Sequence, residues 1–227
     1  MSSQVEELDP TWTRAHAVWL LASCFAVGAA GHPWPLAAGA LLSFGVFCVR
    51  HAPAWRARQL LPNAVTLLRL VGIGAALAVL HGSGAPFAIG LVVAWALDGL
   101  DGLVARRLDA ESPFGALFDA EADAFLVLAA TVELWSSGKL ALWVLLGGVL
   151  RYAYVLCLAW FPARAGGVPR SRFARYAFGA VVLALALALI VPSPFDALVA
   201  ALGTAWLTLS FLRSFIWLYR RRASKAA

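Results

Sequence analysis

Residues 86–107 read PFAIGLVVAWALDGLDGLVARR, and this stretch decides the fold. A helix needs about 20 mostly apolar residues to cross a bilayer. The uninterrupted apolar run ends at Leu97, so a spanning helix here must also contain Asp98 and Asp101. Carboxylates inside a bilayer are costly and usually mark a functional site. The stretch therefore predicts a transmembrane helix that carries functional carboxylates.

The following apolar segment has the same character. Its uninterrupted part, from Ala124 to Val132, is too short to cross a bilayer. A spanning helix over residues 113–135 must therefore contain Asp119, Glu121 and Asp123. The sequence predicts that two successive membrane helices bring acidic side chains into the bilayer.

The composition of the whole chain is typical of a membrane protein. Hydrophobic residues make up 62% and charged residues 13%, with a mean hydropathy of +0.81, whereas a soluble domain is roughly half apolar and a quarter charged. The N-terminus, with Glu6, Glu7 and Asp9, does not resemble a cleaved signal peptide. The net charge of +6 is interpreted as a topology signal and not as a sign of a nucleic-acid partner.

Turn residues divide the chain into eight predicted spans. They cover approximately residues 15–31, 33–49, 62–81, 86–107, 113–135, 139–161, 172–191 and 195–219. We therefore predict an all-α, polytopic membrane helix bundle. In this division residues 1–52 form an N-terminal membrane hairpin, 53–61 an interfacial helix or a basic loop, 62–219 the core, and 220–227 a basic tail.

The basic residues predict the orientation of the bundle. With a cytoplasmic N-terminus, one side collects Arg14, Arg50, Arg56, Arg58, Arg106, Arg107, Arg164, Arg170, Arg172, Arg175, Arg220, Arg221, Arg222 and Lys225, and the other side holds Lys139. Cytoplasmic loops carry the excess of Lys and Arg. We therefore predict a multi-pass protein of the cell (inner) membrane, with both termini cytoplasmic and the site in the cytoplasmic leaflet.

Spacing predicts that the carboxylates form one site. Asp98 and Asp101 are three residues apart, and Asp119 and Asp123 are four apart, so each pair shares a helix face. All four reach a predicted depth of roughly 8–15 Å at ~1.5 Å per residue. Four crowded carboxylates need cations to stay ionised, and oxygen ligands without His or Cys favour Mg²⁺, Mn²⁺ or Ca²⁺. Two such ions suit in-line displacement at phosphorus.

Other ionisable residues lie within the predicted spans. Arg69 and Arg151 reach the depth of the carboxylates, which adds two more helices to the site. Glu121, two residues from Asp119 and from Asp123, points away from their face. It either pairs with Arg69 or Arg151 or shapes an unusual pocket, and we favour the ion pair. Glu133 is interpreted as an interfacial residue near the opposite surface.

The spacing of these residues resembles a family signature. Residues 98–106 read DGLDGLVAR, and Gly115, Asp119 and Asp123 follow at intervals of eight, three and three residues. Counted as intervening residues, these gaps of eight, three and three match D-x2-D-G-x2-A-R-x8-G-x3-D-x3-D, the signature of the CDP-alcohol phosphatidyltransferases. The segment PNAVTLLRL at 62–70 is similar to the start of the first core helix in many members. The resemblance covers about 62–219, six spans, and the N-terminal hairpin is an addition to it.

The resemblance implies roles for particular residues. Two divalent metals, Mg²⁺ or Mn²⁺, would be bound by Asp98, Asp101, Asp119 and Asp123. Asp123 would also act as the general base. Gly102, Ala105, Arg106 and Gly115 would line the nucleotide pocket, with Asn63 and Thr66 beside the nucleotide. Glu121 departs from the family, in which many members have a small or apolar residue. Family members are commonly homodimers, so a homodimer is expected.

The expected reaction joins an alcohol to a phospholipid moiety with release of CMP. The resemblance leaves two donors open, CDP-diacylglycerol, which we favour for a chain of this size, or a CDP-alcohol that reacts with a lipid hydroxyl. Arg151, Arg172 and Arg175 lie where they could hold an anionic or zwitterionic acceptor such as a phosphorylated polyol. Alternatively, Arg172 and Arg175 are topology residues.

Two other classes of membrane protein are compatible with intramembrane carboxylates. An intramembrane prenyltransferase also uses aspartates and Mg²⁺, but it gives no reason for the Gly, Ala and Arg positions of the signature. An ion-coupled transporter would use the carboxylates as an ion site, and its fold would be expected to contain paired broken helices. No internal repeat of that kind is evident in the sequence.

Overall fold

The structure, a computed structural model, is all-helical over the residues that it describes, which are 9–52, 60–107, 112–160 and 172–223. Side chains are not described for 100–106, 158–160, 172–175, 214 and 217–223. Within these ranges there are eight α-helices: α1 (Pro10–Ala30), α2 (Trp34–His51), α3 (Leu60–Val79), α4 (Gly84–Arg107), α5 (Pro113–Ser136), α6 (Leu145–Trp160), α7 (Arg172–Ile190) and α8 (Phe195–Ala223). The predicted all-α bundle of eight helices is confirmed.

Three of these helices are long and apolar enough to cross a membrane on their own: Pro10–Ala30, Leu60–Val79 and Phe195–Arg213. Shorter apolar stretches occupy Gly84–Gly99, Leu142–Cys157 and Tyr176–Ile190. The stretch in α4 includes Asp98 and ends just before residues 100–106, whose side chains are not described. These helices make the chain a multi-pass membrane protein, and large apolar side chains such as Phe25, Val79 and Leu202 face outward.

The helix boundaries differ from the prediction in three places. The first helix begins at Pro10 and not at 15, because the Asp9 side chain accepts a hydrogen bond from the Trp12 N–H at 2.9 Å and caps the helix. The helix of the sixth span begins later than residue 139, since a short 3-10 turn, Leu142–Val144, leads into α6 at Leu145. The last helix continues to Ala223, so the first residues of the predicted basic tail are helical.

Helix α5 lies at the centre of the bundle. It packs against α1, α2, α3, α4, α6 and α7, and its second half, Phe125 to Leu134, is buried on all sides. Gly148 lets α6 approach closely, because a Cβ at this position would lie 2.8 Å from the Leu128 Cα. The N-terminal hairpin, formed by α1 and α2, packs on α6 and α3 and also reaches α5.

The interpretation of Glu133 as an interfacial residue is wrong. Its side chain is fully buried at the C-terminal end of α5. The Gly82 N–H donates to Glu133 Oε1 at 2.7 Å, and His81 Nδ1 lies 2.9 Å from Oε2. The carboxylate therefore ties the α3–α4 turn to α5 at the end of the bundle far from Asp119 and Asp123. No local sequence pattern indicates this long-range contact. The predicted interfacial segment 53–61 lies mostly outside the described residues.

Candidate metal centre

A buried arginine organises the predicted site. Arg69 lies in the middle of α3 and is only 1% exposed. Its Nε donates a hydrogen bond to the Ala94 carbonyl of α4 at 2.9 Å, which fixes the plane of the guanidinium. Its Nη1 donates to Asp98 Oδ1, one turn further along α4, at 3.0 Å. A single side chain thereby fixes the position of the first motif carboxylate.

The same guanidinium contacts two carboxylates of α5. Arg69 Nη1 lies 3.1 Å from Asp119 Oδ1, and Nη2 lies 2.8 Å from Asp123 Oδ1. The carboxylates of Asp98, Asp119 and Asp123 each offer an oxygen, and these oxygens lie within 4.8 Å of one another. Between 24% and 40% of each carboxylate side chain is exposed. Three carboxylates thus converge at one point, with one side buried against Arg69 and another side open.

Helix geometry explains why α5 presents its two carboxylates to this point. Ser112 caps the helix by accepting a hydrogen bond from the Gly115 N–H at 3.0 Å, and Pro113 occupies the first turn. The sequence predicted this start. Asp119 and Asp123 follow at a spacing of four residues, which places both on the face of α5 that meets α3 and α4.

The two predicted nucleotide residues of α3 share a face with Arg69. Asn63 and Thr66 are 4% and 5% exposed, and they precede Arg69 by two turns and one turn. A Cβ at Gly115 would lie 3.4 Å from Asn63 Oδ1, so the small residue allows α5 to approach this face. The structure therefore brings Asn63 and Gly115 together beside the carboxylates. Contact with a nucleotide stays a prediction.

Several predicted site residues lie outside the described side chains. The last turns of α4 contain Asp101, Gly102, Ala105 and Arg106, and the first turn of α7 contains Arg172 and Arg175. Their positions on these helices agree with the predicted spans, but their side chains are among those not described. Their roles in binding metal, nucleotide and acceptor stay predictions.

Arg151 does not join the carboxylate cluster through a described contact. Its Nη2 lies 2.7 Å from Glu121 Oε1. Glu121 is 1% exposed and faces α6, away from Arg69, as its position two residues from Asp119 predicts. Of the alternatives left open for Glu121, the geometry favours the ion pair with Arg151. The acceptor role of Arg151 stays a prediction.

The partnership of Arg69 with the motif carboxylates was missed in the sequence. Arg69 was expected at the depth of the motif carboxylates, but the ion pair considered for it was with Glu121. A signal was available, because Asn63, Thr66 and Arg69 repeat at three-residue intervals and therefore share one helix face. Because that face carries the two predicted nucleotide residues, Arg69 is also expected to lie at the site.

The donor set fits a hard divalent cation. The converging ligand atoms are carboxylate oxygens, which Mg²⁺ and Mn²⁺ prefer, and neither His nor Cys takes part in the cluster of described residues. Three carboxylates facing one guanidinium leave a net charge of about −2 at the cluster. This excess of negative charge, on the partly exposed side, is the property that a cation site requires.

Comparison with known proteins agrees with the motif. The family model of the CDP-alcohol phosphatidyltransferases matches residues 59–213. Two relatives from Mycobacterium tuberculosis (strains CDC 1551 / Oshkosh and ATCC 25618 / H37Rv), each named "Probable phosphatidylglycerophosphate synthase", are 36% identical over 118 residues. The alignment covers 49% of this chain and 56% of each relative, so the chain spans about half the length of these relatives. No solved structure matches the chain.

The matched region contains the whole carboxylate motif, Arg69 and the face of α3 that carries Asn63. It begins after the N-terminal hairpin and ends within α8. Because the match covers well over half of the chain, this chain is a member of the CDP-alcohol phosphatidyltransferase family, the class of membrane transferase that its motif predicts.

Proposed function

We propose that the protein transfers a phosphatidyl group from CDP-diacylglycerol to the hydroxyl of a phosphorylated polyol and releases CMP. The observation that carries this proposal is the convergence of Asp98, Asp119 and Asp123 around the buried Arg69. A partly exposed carboxylate cluster on membrane helices suits a reaction between a lipid donor and a water-soluble acceptor. Family membership supports the same class of reaction.

The choice of acceptor rests on charge and on the relatives. The names of the two relatives point to a glycerol phosphate acceptor. Arg172 and Arg175 begin α7, which packs on α4 and α5. An arginine holds a phosphate through two parallel hydrogen bonds. A phosphorylated polyol, with sn-glycerol 3-phosphate as the first candidate, is therefore the acceptor that this chain is expected to select.

Metal ions complete the site in this proposal. Asp98, Asp119 and Asp123, with Asp101 as the fourth motif carboxylate, would hold two ions, Mg²⁺ or Mn²⁺. Bound there, the ions would neutralise the pyrophosphate of the donor and stabilise the charge that develops on the departing CMP. Arg69 holds the carboxylates from the buried side, and each of the three side chains is partly exposed on the other side.

The proposed chemical step begins at Asp123, whose carboxylate is held by Arg69 Nη2 at 2.8 Å. This carboxylate would accept the proton of the acceptor hydroxyl. The hydroxyl oxygen then forms a bond to the β-phosphorus. The bond from that phosphorus to the bridging oxygen breaks, and CMP leaves with the electron pair. The products are the phosphatidyl ester, CMP and one proton carried by Asp123.

The proposal is tested with the purified protein in lipid or detergent. CDP-diacylglycerol and Mg²⁺ or Mn²⁺ are incubated with sn-glycerol 3-phosphate, inositol phosphate, serine or glycerol, and products are identified by mass spectrometry. We expect CMP and a phosphatidyl ester of a phosphorylated polyol, both dependent on the metal. Reaction with glycerol alone would overturn the anionic acceptor, and release of pyrophosphate in place of CMP would overturn the reaction class.

The placement of the site in the membrane is also part of the proposal. The basic residues favour a cytoplasmic position for both termini and for the carboxylate cluster. This position would give the site access to soluble acceptors and to lipid from the inner leaflet. We also propose a homodimer, as is common in the family, which mass measurement of the protein in native lipid would test.

A further inference from the structure

A second buried polar cluster lies on the side of α5 that faces away from the metal centre. Glu121 stands between Asp119 and Asp123 in the sequence but points toward α6, where its Oε1 pairs with Arg151 at 2.7 Å. Its Oε2 is buried and has no hydrogen-bond partner among the described residues. One oxygen of a carboxylate in the middle of the bundle thus remains unsatisfied.

The N-terminal hairpin brings a histidine to the same place. His16 of α1 is 1% exposed, and its Nδ1 shares a hydrogen bond of 2.7 Å with Ser43 Oγ of α2. Its Nε2 is buried, and no described residue offers it a hydrogen bond. Glu121 and Arg151 both act electrostatically on the ring. The hairpin, which lies outside the matched family region, therefore contributes a polar group to the back of the catalytic helix.

Tyr152 of α6 supplies a third unsatisfied atom. The side chain is completely buried, and its hydroxyl has no partner within the described part of the chain. The ring meets that of His16 edge-on, with 6.1 Å between the centroids, and Glu121 and Arg151 are again its charged neighbours. Three polar atoms from three different helices are thus buried in one region.

Buried polar atoms of this kind need a partner. An unsatisfied donor or acceptor costs free energy, and the cost is greatest for a charged carboxylate in a low-dielectric interior. Water is the smallest molecule that can satisfy such atoms, since it can donate to a carboxylate oxygen such as Glu121 Oε2 and can bond to an imidazole nitrogen or a phenol hydroxyl. Internal waters typically make about three hydrogen bonds to otherwise unsatisfied groups.

We propose that His16, Glu121 and Tyr152 form an internal water site through which the N-terminal hairpin holds α5 in the rotation that presents Asp119 and Asp123 to Arg69. The N-terminal hairpin also contacts α5 through aromatic packing. Phe47 stacks on Phe114 at 4.9 Å between centroids, and Phe44 meets Phe118 edge-on at 5.9 Å.

His16 and Glu121 are positioning residues in this proposal, because neither touches the reacting atoms. Rotation of α5 about its axis would move Glu121 and the two aspartates together, since all three belong to adjacent turns. Any effect on the rate of transfer rests on the proposed function, whereas the water site and its effect on metal affinity are separate properties of the fold.

The test is a double-mutant cycle of His16→Phe and Glu121→Gln in the full-length protein. Phenylalanine retains the ring that packs on Trp12 and Phe44, and glutamine retains the shape of glutamate. Thermal unfolding in detergent is measured for the wild type, both single variants and the double variant. Mn²⁺ affinity is measured on the same samples by electron paramagnetic resonance. Ser23→Ala is the matched control, since Ser23 is a buried polar residue of α1 bonded within its own helix.

We expect the two substitutions to be coupled. The double variant should unfold about 2–4 °C above the temperature that addition of the single effects predicts. Each single variant should bind Mn²⁺ about tenfold more weakly, because it disturbs the supports of the ligands. The Ser23→Ala control should bind Mn²⁺ as the wild type does.

Each contrary result has a distinct meaning. Additive unfolding temperatures would overturn the water site. If the two substitutions are coupled in thermal unfolding but leave the Mn²⁺ affinity unchanged, the positioning role of His16 and Glu121 is overturned. A wild-type protein that binds no Mn²⁺ contradicts the proposed function instead, and the unfolding cycle then still decides the water site. A structure that resolves solvent should contain water within hydrogen-bond distance of the three atoms.

Discussion

At the residue scale, the site depends on the balance between one guanidinium and several carboxylates. Arg69 contacts Asp98, Asp119 and Asp123 at 2.8–3.1 Å, and its burial reduces the screening of these contacts by water. Its positive charge offsets part of the repulsion among the three carboxylates. The same charge would compete with a cation at the proposed metal site, so Arg69 would both assemble this site and limit its affinity for metal.

This balance predicts the effect of Arg69→Gln. Removal of one partner from a buried ion pair costs about 3–5 kcal/mol, so the variant should unfold at a lower temperature than the wild type. Saturating Mn²⁺ should raise its unfolding temperature by more than it raises that of the wild type, because the cluster is then more negative. Thermal unfolding with and without Mn²⁺ measures both effects. Lys139→Gln, which removes a positive charge at the other end of the bundle, is the control and should show no extra response to Mn²⁺.

The proposed role of Asp123 as general base predicts the effect of Asp123→Asn. Asparagine retains the size of the side chain but cannot accept the hydroxyl proton, and positioned bases contribute about 10²–10⁴-fold to a rate. The rate of CMP release should therefore fall by about that factor, while the helical circular dichroism signal stays unchanged. Near-normal turnover in the purified variant would show that another group acts as the base.

At the element scale, the start of a helix and the spacing along it were predictable, whereas contacts between helices were not. Ser112, Pro113 and the four-residue spacing of Asp119 and Asp123 are local features, and the structure agrees with them. The contacts of Arg69 span 25 to 54 residues of sequence, and they depend on how α3, α4 and α5 cross. Glu133 was misread for the same reason, since its partners belong to a turn about 50 residues away.

The crossing of α5 and α6 gives a prediction at this scale. A Cβ at Gly148 would lie 2.8 Å from the Leu128 Cα, so Gly148→Ala should separate the two helices and destabilise the protein by about 1–3 kcal/mol. Gly90→Ala in α4 is the control, because no atom lies within 4 Å of the added Cβ, and it should be neutral or stabilise by up to about 1 kcal/mol. Chemical unfolding of both variants provides the comparison. Equal stabilities would show that α5 and α6 do not depend on this close approach.

The cap of α1 gives a prediction about pH. Burial acts to raise the pKa of Asp9, but the Trp12 N–H, the Arg50 guanidinium and His51 outweigh it, so that the pKa of this carboxyl lies below its usual value of 3.8. A lowered pKa contributes stability that is present above pH 3.8 and is lost as the pH falls through the folded-state value.

The variant Asp9→Asn isolates this contribution, because asparagine retains the capping ability but not the charge. Wild type and variant should differ in unfolding temperature at pH 7, with the wild type more stable, and the difference should shrink below about pH 4. Thermal unfolding across this pH range measures it. A difference that stays constant down to the lowest pH would contradict the role of the charge.

At the scale of the whole molecule, the hairpin and the family core meet on one helix. The matched region, 59–213, contains the carboxylates and Arg69, whereas the aromatic and polar contacts behind α5 come from α1 and α2. Composition alone predicted a membrane protein, because 62% hydrophobic residues is well above the roughly half that is typical of a soluble domain. The way in which the added hairpin supports the core could not be predicted, since it depends on the contacts of His16, Phe44 and Phe47 across three helices.

The orientation of this assembly gives the last prediction. Helix α3 is long and apolar enough to span the membrane, so the α2–α3 and α3–α4 connections must lie on opposite sides. From the distribution of basic residues we predict that the first of these is cytoplasmic. In a variant without native cysteines, Ala52→Cys and Ser83→Cys introduce thiols at exposed positions of the two connections. A membrane-impermeant maleimide added to intact cells should label Ser83→Cys and label Ala52→Cys only after lysis. The reverse pattern would place the carboxylate cluster in the outer leaflet, away from cytoplasmic nucleotides.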